Sequence, residues 1–375
     1  MGGEKKKILH IALVRGGGGV VVYTRMLMNK TASEYKNVLI CASDYPTGLL
    51  DDSVKRYVVD VPREISLKED IGEVKRIRAI LKREMPDILY CHSSMAGAVG
   101  RIAALGLGCK TIYNPHGWSF SMDCHWYKKT VYTAVEWVLA RVTDRIVAIS
   151  HHEKQMALQK RICPEKKLRV ICNGVDVDAC QTGHKTRKAL GYREQDFLVA
   201  CCGRISLQKD PILFAEVAGA VAKKCPEAKF LWVGDGELKD EFVAALAQNG
   251  VLEKTWLPGF VEKPWEVMGA ADVAVLFSKW EGFGLVLAEY LAMGLPVVAT
   301  DVGAVSEIIT DRIQGRAIKE RDPRSLAEAV LSYRDRQDKE QLRRVCMEKA
   351  RQFAIENTVS GNIRLYQELF KGERL

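Results

Sequence analysis

The sequence predicts an α/β protein made of two doubly wound domains, each with a parallel sheet. Apolar, β-branched runs alternate with amphipathic helical segments, and there are more strand candidates than one open sheet usually holds. A length of 375 residues suits two domains of roughly 150 residues. With 47% hydrophobic and 27% charged residues, the composition is that of a soluble globular protein and excludes a disordered, collagen-like or coiled-coil chain.

The strand candidates are apolar on both faces, which is typical of central strands in a parallel sheet. They are 8–14, 37–42, 87–91, 110–113, 145–149 and 168–172 in the first half, and 197–202, 229–233, 272–277 and 296–300 in the second. The helical segments between and after them are 68–84, 93–105, 124–141, 212–224, 236–248, 285–293, 324–334 and 339–355.

The boundary between the domains is predicted at Asn173-Gly174-Val175-Asp176, because the polar stretch 178–195 that follows carries no strand. We therefore expect one Rossmann-like domain over 1–175 and a second from 176, facing each other across a cleft. Ligands of open α/β sheets bind at the carboxyl ends of the strands, so we expect the functional residues on the loops at those ends.

Cysteine usage and hydropathy predict a cytoplasmic protein. The eleven cysteines are an odd number, are scattered and form no C-x-x-C pair, as expected of free thiols in a reducing compartment. No apolar run approaches the length of a membrane span, and the basic start of the chain lacks the features of a signal peptide.

Two loops are suited to an anionic ligand. Glycines 16–19 follow the first strand and precede a helix from about Val20, where exposed amides favour anions. A tight turn explains these glycines equally well, because they form neither a dinucleotide fingerprint nor a Walker loop. After strand 197–202, Arg204 and Lys209 are placed to clamp two phosphates, or they are two surface cations.

The loop after strand 272–277 is the most informative. It contains Glu281 and leads into an apolar helix in which Glu289 lies one turn from the start. The two carboxylates are separated by at most about 12 Å, too far to act on one bond. They suit a ligand with polar groups at both ends and an anion between them, resting on the amides of Phe283 to Val286, and a nucleotide sugar has that shape. The alternative for Glu289 is a buried ion pair with a lysine or arginine.

Four further features of the sequence have both a functional and a structural interpretation. His116 and His92 each follow a strand and are candidates for a functional role, although a loop histidine is commonly structural. Asp176 and Asp178 form a D-x-D pattern that could hold a metal, but their place after Asn-Gly indicates a turn. Gly234-Asp235-Gly236 resembles part of a dinucleotide fingerprint, but a plain strand-to-helix turn explains it.

Together these loops resemble the retaining GT-B glycosyltransferases of the large bacterial family that includes sucrose and glycogen-type synthases. The matching pieces run in order along nearly the whole chain. They are glycines 16–19, His116-Gly117, 148–150, 173–176, Gly203-Arg204, 209–211, 233–236, 258–260, 281–284 with Glu289, and 294–300. The family signature is a pair of glutamates separated by seven residues, which Glu281 and Glu289 match. The stretch 114–120 is similar to transferases that build capsule, exopolysaccharide or wall polymers.

The resemblance implies a role for each matching residue. Arg204 and Lys209 would neutralise the donor diphosphate, and Glu281 and His116 would contact the donor sugar. The remaining contacts to the nucleotide sugar would come from Gly17, Gly18, Gly203, Phe260, Phe283, Gly284, Leu285, Val286 and Glu289. The four glycines depart from the usual two of the family, which leaves the acceptor contacts of that loop undetermined.

The resemblance also implies the division of labour. Residues 1–175 would form the acceptor-binding domain, 176–357 the donor-binding domain, and 358–375 a C-terminal helix that crosses back to the first domain. The expected reaction moves a sugar from a nucleotide-diphosphate donor to a glycan or lipid-linked acceptor with retention and without a metal or other cofactor. A UDP-sugar is favoured, with dTDP-rhamnose and a GDP-sugar as alternatives. The rival functions are a nucleotide-sugar epimerase on the same fold and a non-catalytic partner subunit.

The charge distribution adds a membrane surface as an expected partner, and nucleic acid is not expected. The net charge is +9, yet residues 1–175 hold 28 basic and 17 acidic residues, a balance of +11. Helix 73–84 and the segment 126–137 mix apolar residues with cations, as interfacial helices do, which predicts peripheral contact at the inner face of an anionic membrane. Alternatively, the stripe Val74, Ile77, Ile80 and Leu81 packs on the first sheet.

Overall fold

The computed structural model describes residues 5–14, 18–60, 67–122 and 124–372, without the side chains of residues 67–70. The chain divides into two compact units. One combines Met1–Asn173 with Glu356–Leu375, and the other is Gly174–Ile355. These divisions lie within two residues of the predicted boundaries.

The first unit is a parallel sheet of seven strands in the order β3-β2-β1-β4-β5-β6-β7. Its strands are β1 (Lys7–Ala12), β2 (Lys36–Cys41), β3 (Lys55–Val58), β4 (Ile88–His92), β5 (Lys110–Asn114), β6 (Arg145–Ala148) and β7 (Leu168–Val170). Its helices are α1 (Gly19–Thr31), α2 (Leu67–Glu84), α3 (Ser94–Ala103), α4 (Trp126–Leu139), α5 (His151–Gln159) and, at the end of the chain, α14 (Ile355–Phe370).

Both faces of the first sheet are covered, because its central strands are apolar on both sides. One face packs Leu9 and Ile11 against α2 and α3, and the other packs Ile8 against α1 and α14. Ile77 and Leu81 of α2 are fully buried in the first of these cores, with Val74 and Ile80 packed beside them. The apolar stripe of helix 73–84 therefore faces the core, and the idea that it contacts a membrane is wrong.

The second unit is a parallel sheet of six strands in the order β10-β9-β8-β11-β12-β13. The strands are β8 (Phe197–Cys202), β9 (Ala228–Val233), β10 (Thr255–Gly259), β11 (Val273–Leu276), β12 (Val297–Thr300) and β13 (Gly315–Ile318). The helices are α6 (Val177–Cys180), α7 (Pro211–Lys224), α8 (Lys239–Gln248), α9 (Trp265–Met268), α10 (Leu285–Ala292), α11 (Val305–Ile308), α12 (Pro323–Leu331) and α13 (Lys339–Ala350).

Three strands were not predicted from the sequence: β3, β10 and β13. All three lie at the edge of a sheet, where one side of the strand has no neighbour. Their residues are largely exposed or half-buried, so they lack the continuous apolar run that marks a central strand.

Each sheet has one point where the strand order reverses, between β1 and β4 in the first unit and between β8 and β11 in the second. Loops at such a point diverge and leave a crevice at the carboxyl ends of the strands. The candidate residues follow these strands: His92 ends β4, Gly203 follows β8, and Glu281 follows β11. The topology therefore places the predicted loops where open α/β sheets bind ligands.

Candidate active site

The loop after β8 is locked to the loop after β9 by backbone contacts. The amide of Gly203 donates to Val233 at 2.9 Å, and the amide of Ile205 donates to Asp235 at 3.0 Å. Gly234 has φ +138°, and a Cβ at this position would lie 2.2 Å from the Gly203 carbonyl oxygen. Gly234 thus permits close packing of the two loops, a reason beyond the plain turn that the sequence indicated.

Lys209 and Glu281 meet in a largely buried ion pair, with Nζ and Oε1 2.5 Å apart. Their side chains are only 15% and 5% exposed. The hydroxyl of Ser278 donates to the same oxygen of Glu281 at 2.6 Å. The structure therefore joins two of the predicted residues, which lie 72 positions apart in the chain. An ammonium group has three donors, so Lys209 keeps capacity for a further anion.

Arg204 is placed differently from Lys209. Its side chain is 73% exposed, and its Nε lies 3.0 Å from Oε2 of the exposed Glu237. Exposed pairs of this kind contribute little to stability. Arg204 is therefore free to leave Glu237 for an incoming anion at small cost.

The start of α10 offers backbone amides to a ligand. Gly284 caps the helix in the left-handed conformation, with φ +80°. Leu285 and Val286 form the first turn, whose amides have no acceptor within the helix. The side chain of Phe283 points into the core, where its ring lies 5.6 Å from that of Phe353. Of Phe283, only the backbone can serve a ligand.

Glu289 lies one turn into α10 and is partly buried. Within the described ranges, its carboxylate has no hydrogen-bond or ion-pair partner, so the alternative of a buried ion pair is not seen. Burial raises the pKa of Glu289 to about 7, and the positive charge of Lys209 opposes this shift. A carboxylate held in this way is available to hydrogen-bond a ligand.

Arg321, which holds the loops after β8 and β11 together, was not predicted from the sequence. Its guanidinium donates to Asp210 at 2.5 Å, to the carbonyl of Ser278 at 2.7 Å and to that of Phe277 at 3.0 Å. Gln208 adds a bond from its amide to the carbonyl of Trp280 at 2.9 Å. No local pattern marks Arg321, because its partners are 43 to 111 residues away.

In the first unit, His116 is held rigidly at the end of β5. It is a non-glycine residue with φ +52°, and its amide donates to Oδ1 of Asn114 at 2.9 Å. The ring of Tyr23 meets its imidazole edge-on at 4.8 Å. Burial lowers the pKa of His116 to about 3, so the ring is uncharged at neutral pH.

Two of the remaining predicted residues, Gly18 and Phe260, lie in the described part of the chain. Gly18 caps α1 with φ +141°, whereas Gly17 lies outside the described residues. Phe260 follows β10 and is 82% exposed.

The D-x-D pattern has a structural role. Asp176 caps α6, accepting a hydrogen bond from the amide of Ala179 at 2.9 Å. Across the described ranges, no three His, Cys, Asp or Glu side chains converge in a way that could hold a metal ion.

Comparison with known proteins assigns the family. The model described as Glycosyl transferases group 1 matches residues 184–353, and that described as Glycosyltransferase Family 4 matches 17–179. A UDP-Gal:alpha-D-GlcNAc-diphosphoundecaprenol alpha-1,3-galactosyltransferase of Escherichia coli is 30% identical over 344 residues, which cover 88% of this chain and 89% of that protein. A D-inositol 3-phosphate glycosyltransferase of Paenarthrobacter aurescens is 25% identical over 98% of this chain and 92% of its own.

Solved structures show the same fold. HepE of Anabaena in complex with UDP has a TM-score of 0.83 at 20% identity, covering 96% of this chain and all of that one. Sucrose-phosphate synthase of Thermosynechococcus elongatus has a TM-score of 0.84 at 18% identity, covering 98% of this chain. The two Rossmann-like domains define the GT-B class, and the chain belongs to the GT-B glycosyltransferases of the bacterial polysaccharide type.

Proposed function

We propose that the protein transfers a hexose from a UDP-sugar to a lipid-linked glycan, with retention of the anomeric configuration and without a metal ion. The observation that carries this proposal is the cluster after β8 and β11, where the Lys209–Glu281 pair lies beside the uncommitted carboxylate of Glu289. The name of the Escherichia coli relative supports the UDP-sugar and the lipid diphosphate acceptor. UDP in the Anabaena structure supports the choice of nucleotide.

The leaving group of this reaction is a diphosphate that gains negative charge as the glycosidic bond breaks. Lys209, Arg204 and the first-turn amides of α10 are the groups that would stabilise this charge. Preorganised donors of this kind contribute several kcal/mol each to transition-state stabilisation, on the order of 100-fold in rate. This cluster supplies what a divalent metal would otherwise supply, and we expect activity to survive excess EDTA.

Polar groups at either end of the donor would be bound separately. Glu281 and His116 would bind hydroxyls of the sugar, and Glu289 would bind those of the ribose. Phe260, being exposed after β10, is available to stack on the base. Gly203, Gly284, Leu285 and Val286 would contribute backbone contacts, and the glycines after β1, Gly17 and Gly18, are proposed to bind phosphate.

The test is transfer by the purified protein. It is incubated with each of several UDP-, dTDP- and GDP-sugars, with and without a polyprenyl-diphosphate-linked sugar, and products are identified by mass spectrometry. Acceptor-dependent release of UDP together with a lengthened lipid is expected, and the anomeric coupling constant in the product reports retention. Rearrangement of the donor in the absence of acceptor would instead indicate an epimerase. The absence of turnover with every donor would indicate a non-catalytic partner subunit.

We further propose that α4 docks the enzyme on an anionic membrane. Across the described residues, no helix has the length and apolar character needed to cross a membrane. The outer face of α4, however, exposes large apolar side chains spaced three or four residues apart. The exposed members are Tyr127 at 50%, Val131 at 57%, Val135 at 41% and Val138 at 55%, with Trp126 at 78% beside them.

The chemistry of this face favours lipid as its occupant. Lys128 is exposed in the first turn of α4. Arg141 is exposed two residues beyond the end of the helix and stacks on the half-exposed ring of Trp137. Aromatic rings and cations around an apolar stripe are typical of helices that lie in a membrane interface. The charge of +11 over residues 1–175 complements an anionic leaflet, where each cation contributes about 1 kcal/mol.

Co-sedimentation with vesicles tests this surface. Wild type should bind phosphatidylglycerol vesicles, dissociate from them as the salt concentration rises, and not bind phosphatidylcholine vesicles. The double change Val131→Ser/Val135→Ser should abolish binding without loss of stability, while Ile313→Ser, equally exposed at 51% in the second unit, should have no effect. Equal recovery of wild type in the supernatant with both vesicle types, or self-association through this face in sedimentation velocity, would contradict the proposal.

A further inference from the structure

Three histidines, two on neighbouring strands and one in the loop after β5, form a continuous hydrogen-bonded chain in the first unit. Nδ1 of His10 on β1 lies 3.0 Å from Nε2 of His92, the last residue of β4. Nδ1 of His92 lies 3.1 Å from Nε2 of His116. His10 and His92 are fully buried, and the chain ends at the partly exposed His116.

All three imidazoles are uncharged at neutral pH. Burial lowers the pKa of both His10 and His116 to about 3 and that of His92 well below its usual range. Each neutral ring carries one proton, so one nitrogen donates and the other accepts. Since His92 can donate in only one direction, the two hydrogen bonds must run the same way along the chain. Only two arrangements are open, and they differ in which nitrogen of His116 carries the proton.

Asn37 distinguishes the two arrangements. It lies on β2 beside β1, is buried, and its Nδ2 donates to the carbonyl of Met28 at 2.9 Å and to Oγ1 of Thr31 at 3.1 Å. The Thr31 hydroxyl itself donates to Leu27 at 2.7 Å, so it can only accept from Asn37. These two contacts fix which way the amide points and leave Oδ1 as an acceptor.

The acceptor of Asn37 is matched by His10. Oδ1 of Asn37 and Nε2 of His10 are both buried on adjacent strands, and neither has a hydrogen-bond partner in the described part of the chain. Asn37 acts on His10 as a hydrogen-bond acceptor does, since it raises the pKa of that ring against the larger effect of burial. A proton on Nε2 of His10 satisfies both atoms, whereas the opposite arrangement sets two lone pairs against each other.

We propose that Asn37, His10 and His92 are positioning residues that hold His116 as the Nε2–H tautomer, which leaves its Nδ1 as a fixed hydrogen-bond acceptor for a sugar hydroxyl. In this arrangement His116 donates to His92, His92 donates to His10, and the proton on Nε2 of His10 is available to the unpaired acceptor of Asn37. Across the described residues, Nδ1 of His116 has no partner and is not among the buried unpaired atoms, so it remains open to a ligand. The sugar-binding part of this inference rests on the proposed function.

This arrangement makes His116 selective. A bare nitrogen lone pair accepts from an O–H and repels a carboxylate or a phosphate oxygen. We therefore expect the enzyme to prefer a donor sugar with a hydroxyl at the position facing His116. An analogue with hydrogen at that one position should bind roughly fivefold more weakly, the effect of one lost hydrogen bond.

The tautomer is read directly from two-bond and three-bond 15N–1H correlations of the full-length protein, with His116→Gln used to assign the signal. Wild type should show a protonated Nε2 and a bare Nδ1. Asn37→Leu removes the acceptor at the far end, so His116 should shift toward the Nδ1–H form. Asn249→Leu, which changes a half-buried asparagine of the second unit, should leave the tautomer unchanged.

Binding of single-deoxy UDP-sugars is measured in the same proteins. Wild type and Asn249→Leu should discriminate against one deoxy position, and Asn37→Leu should lose that discrimination while losses at other positions stay the same. A protonated Nδ1 in wild type overturns the proposal even if Asn37→Leu does not fold. An Nε2–H tautomer in a protein that transfers no sugar would instead refute the proposed function and leave the tautomer assignment standing.

Discussion

At the scale of single residues, Lys209 and Arg204 carry the same proposed role in very different surroundings. Lys209 is 15% exposed and paired with the 5% exposed Glu281, whereas Arg204 is 73% exposed. Removing one partner of a buried pair leaves an uncompensated charge, and removing an exposed cation does not. Substituting each residue in turn therefore distinguishes an effect on turnover from an effect on the free energy of unfolding.

We predict that Lys209→Ala and Arg204→Ala each lower turnover on the order of 100-fold. Only Lys209→Ala should also lower the free energy of unfolding, by roughly 3 kcal/mol. Steady-state kinetics and urea denaturation measure the two effects, with Lys224→Ala, which breaks an exposed pair with Glu328, as the control. Near-normal turnover of either variant at saturating donor would show that its cation does not act on the diphosphate.

The carboxylate of Glu289 predicts a pH dependence of donor binding. Its pKa of about 7 means that it is ionised above neutral pH and protonated below. The groups facing it are Lys209, which favours the charged form, and the thiols of Cys180 and Cys202, which are protonated at neutral pH because burial raises the pKa of both. A carboxylate accepts from two ribose hydroxyls better than a carboxylic acid does.

Affinity for a UDP-sugar should therefore fall as the pH drops through about 7, approaching tenfold per pH unit well below the pKa. Calorimetric titration between about pH 6 and about pH 8 measures the change. A UDP-sugar is used rather than UDP, because its diphosphate diester does not titrate in this range. Glu289→Gln should bind more weakly than wild type and without this pH dependence, and an equally steep profile in that variant would exclude Glu289 as the cause.

At the scale of elements, α4 turns a charged residue inward and its apolar stripe outward. Glu136 is buried and accepts from Arg101 of α3 at 2.9 Å and from the hydroxyl of Tyr113 at 2.6 Å. Arg101 also lies over the Tyr113 ring at 3.8 Å. This buried triad fixes the rotation of α4 about its axis, and so determines which residues the helix exposes.

We predict that Glu136→Gln lowers the free energy of unfolding by about 3–5 kcal/mol, because it leaves Arg101 buried without a countercharge. The double change Arg101→Met/Glu136→Leu removes both charges and should be less destabilised than the single variant. Thermal unfolding of the two proteins measures the difference. A double variant that is less stable than Glu136→Gln would show that packing, rather than the unpaired charge, determines the loss.

At the scale of the whole molecule, the first unit is discontinuous in sequence. Helix α14 returns to it, where Tyr366, Leu365 and Leu369 are buried in its core. Glu368 of the same helix pairs with Arg145 at 2.6 Å and with Arg169 at 2.5 Å. The last twenty residues are therefore part of the first folding unit.

This division predicts the behaviour of the separated units. Residues 174–355 expressed alone should fold and bind a UDP-sugar, although more weakly than the whole chain, since Arg204, Lys209, Glu281 and Glu289 lie within that unit and the predicted contact from His116 does not. Residues 1–173 alone should aggregate because an apolar face is uncovered, and joining them to 356–375 by a flexible linker should restore a soluble monomer. Circular dichroism and gel filtration report the outcome, and a stable monomer of 1–173 would refute the structural role assigned to α14.

The sequence determined the central architecture of this protein. The apolar runs of the central strands, the alternation with helices and the loops at strand ends predicted the parallel sheets and the family, because these signals are local. The edge strands β3, β10 and β13 escaped prediction because half-exposed strands carry no continuous apolar run.

Only the tertiary structure decided which polar groups meet. Lys209 reaches Glu281 across 72 residues, Arg321 reaches Asp210 across 111, and His10 reaches His92 across 82. The Lys209–Glu281 and His10–His92 contacts follow from the strand order, which sets β8 beside β11 and β1 beside β4, whereas Arg321 lies on the loop after the edge strand β13. Hydrophobic periodicity indicates that a strand exists and carries no information about its neighbours, so the partners of each predicted site residue had to come from the fold.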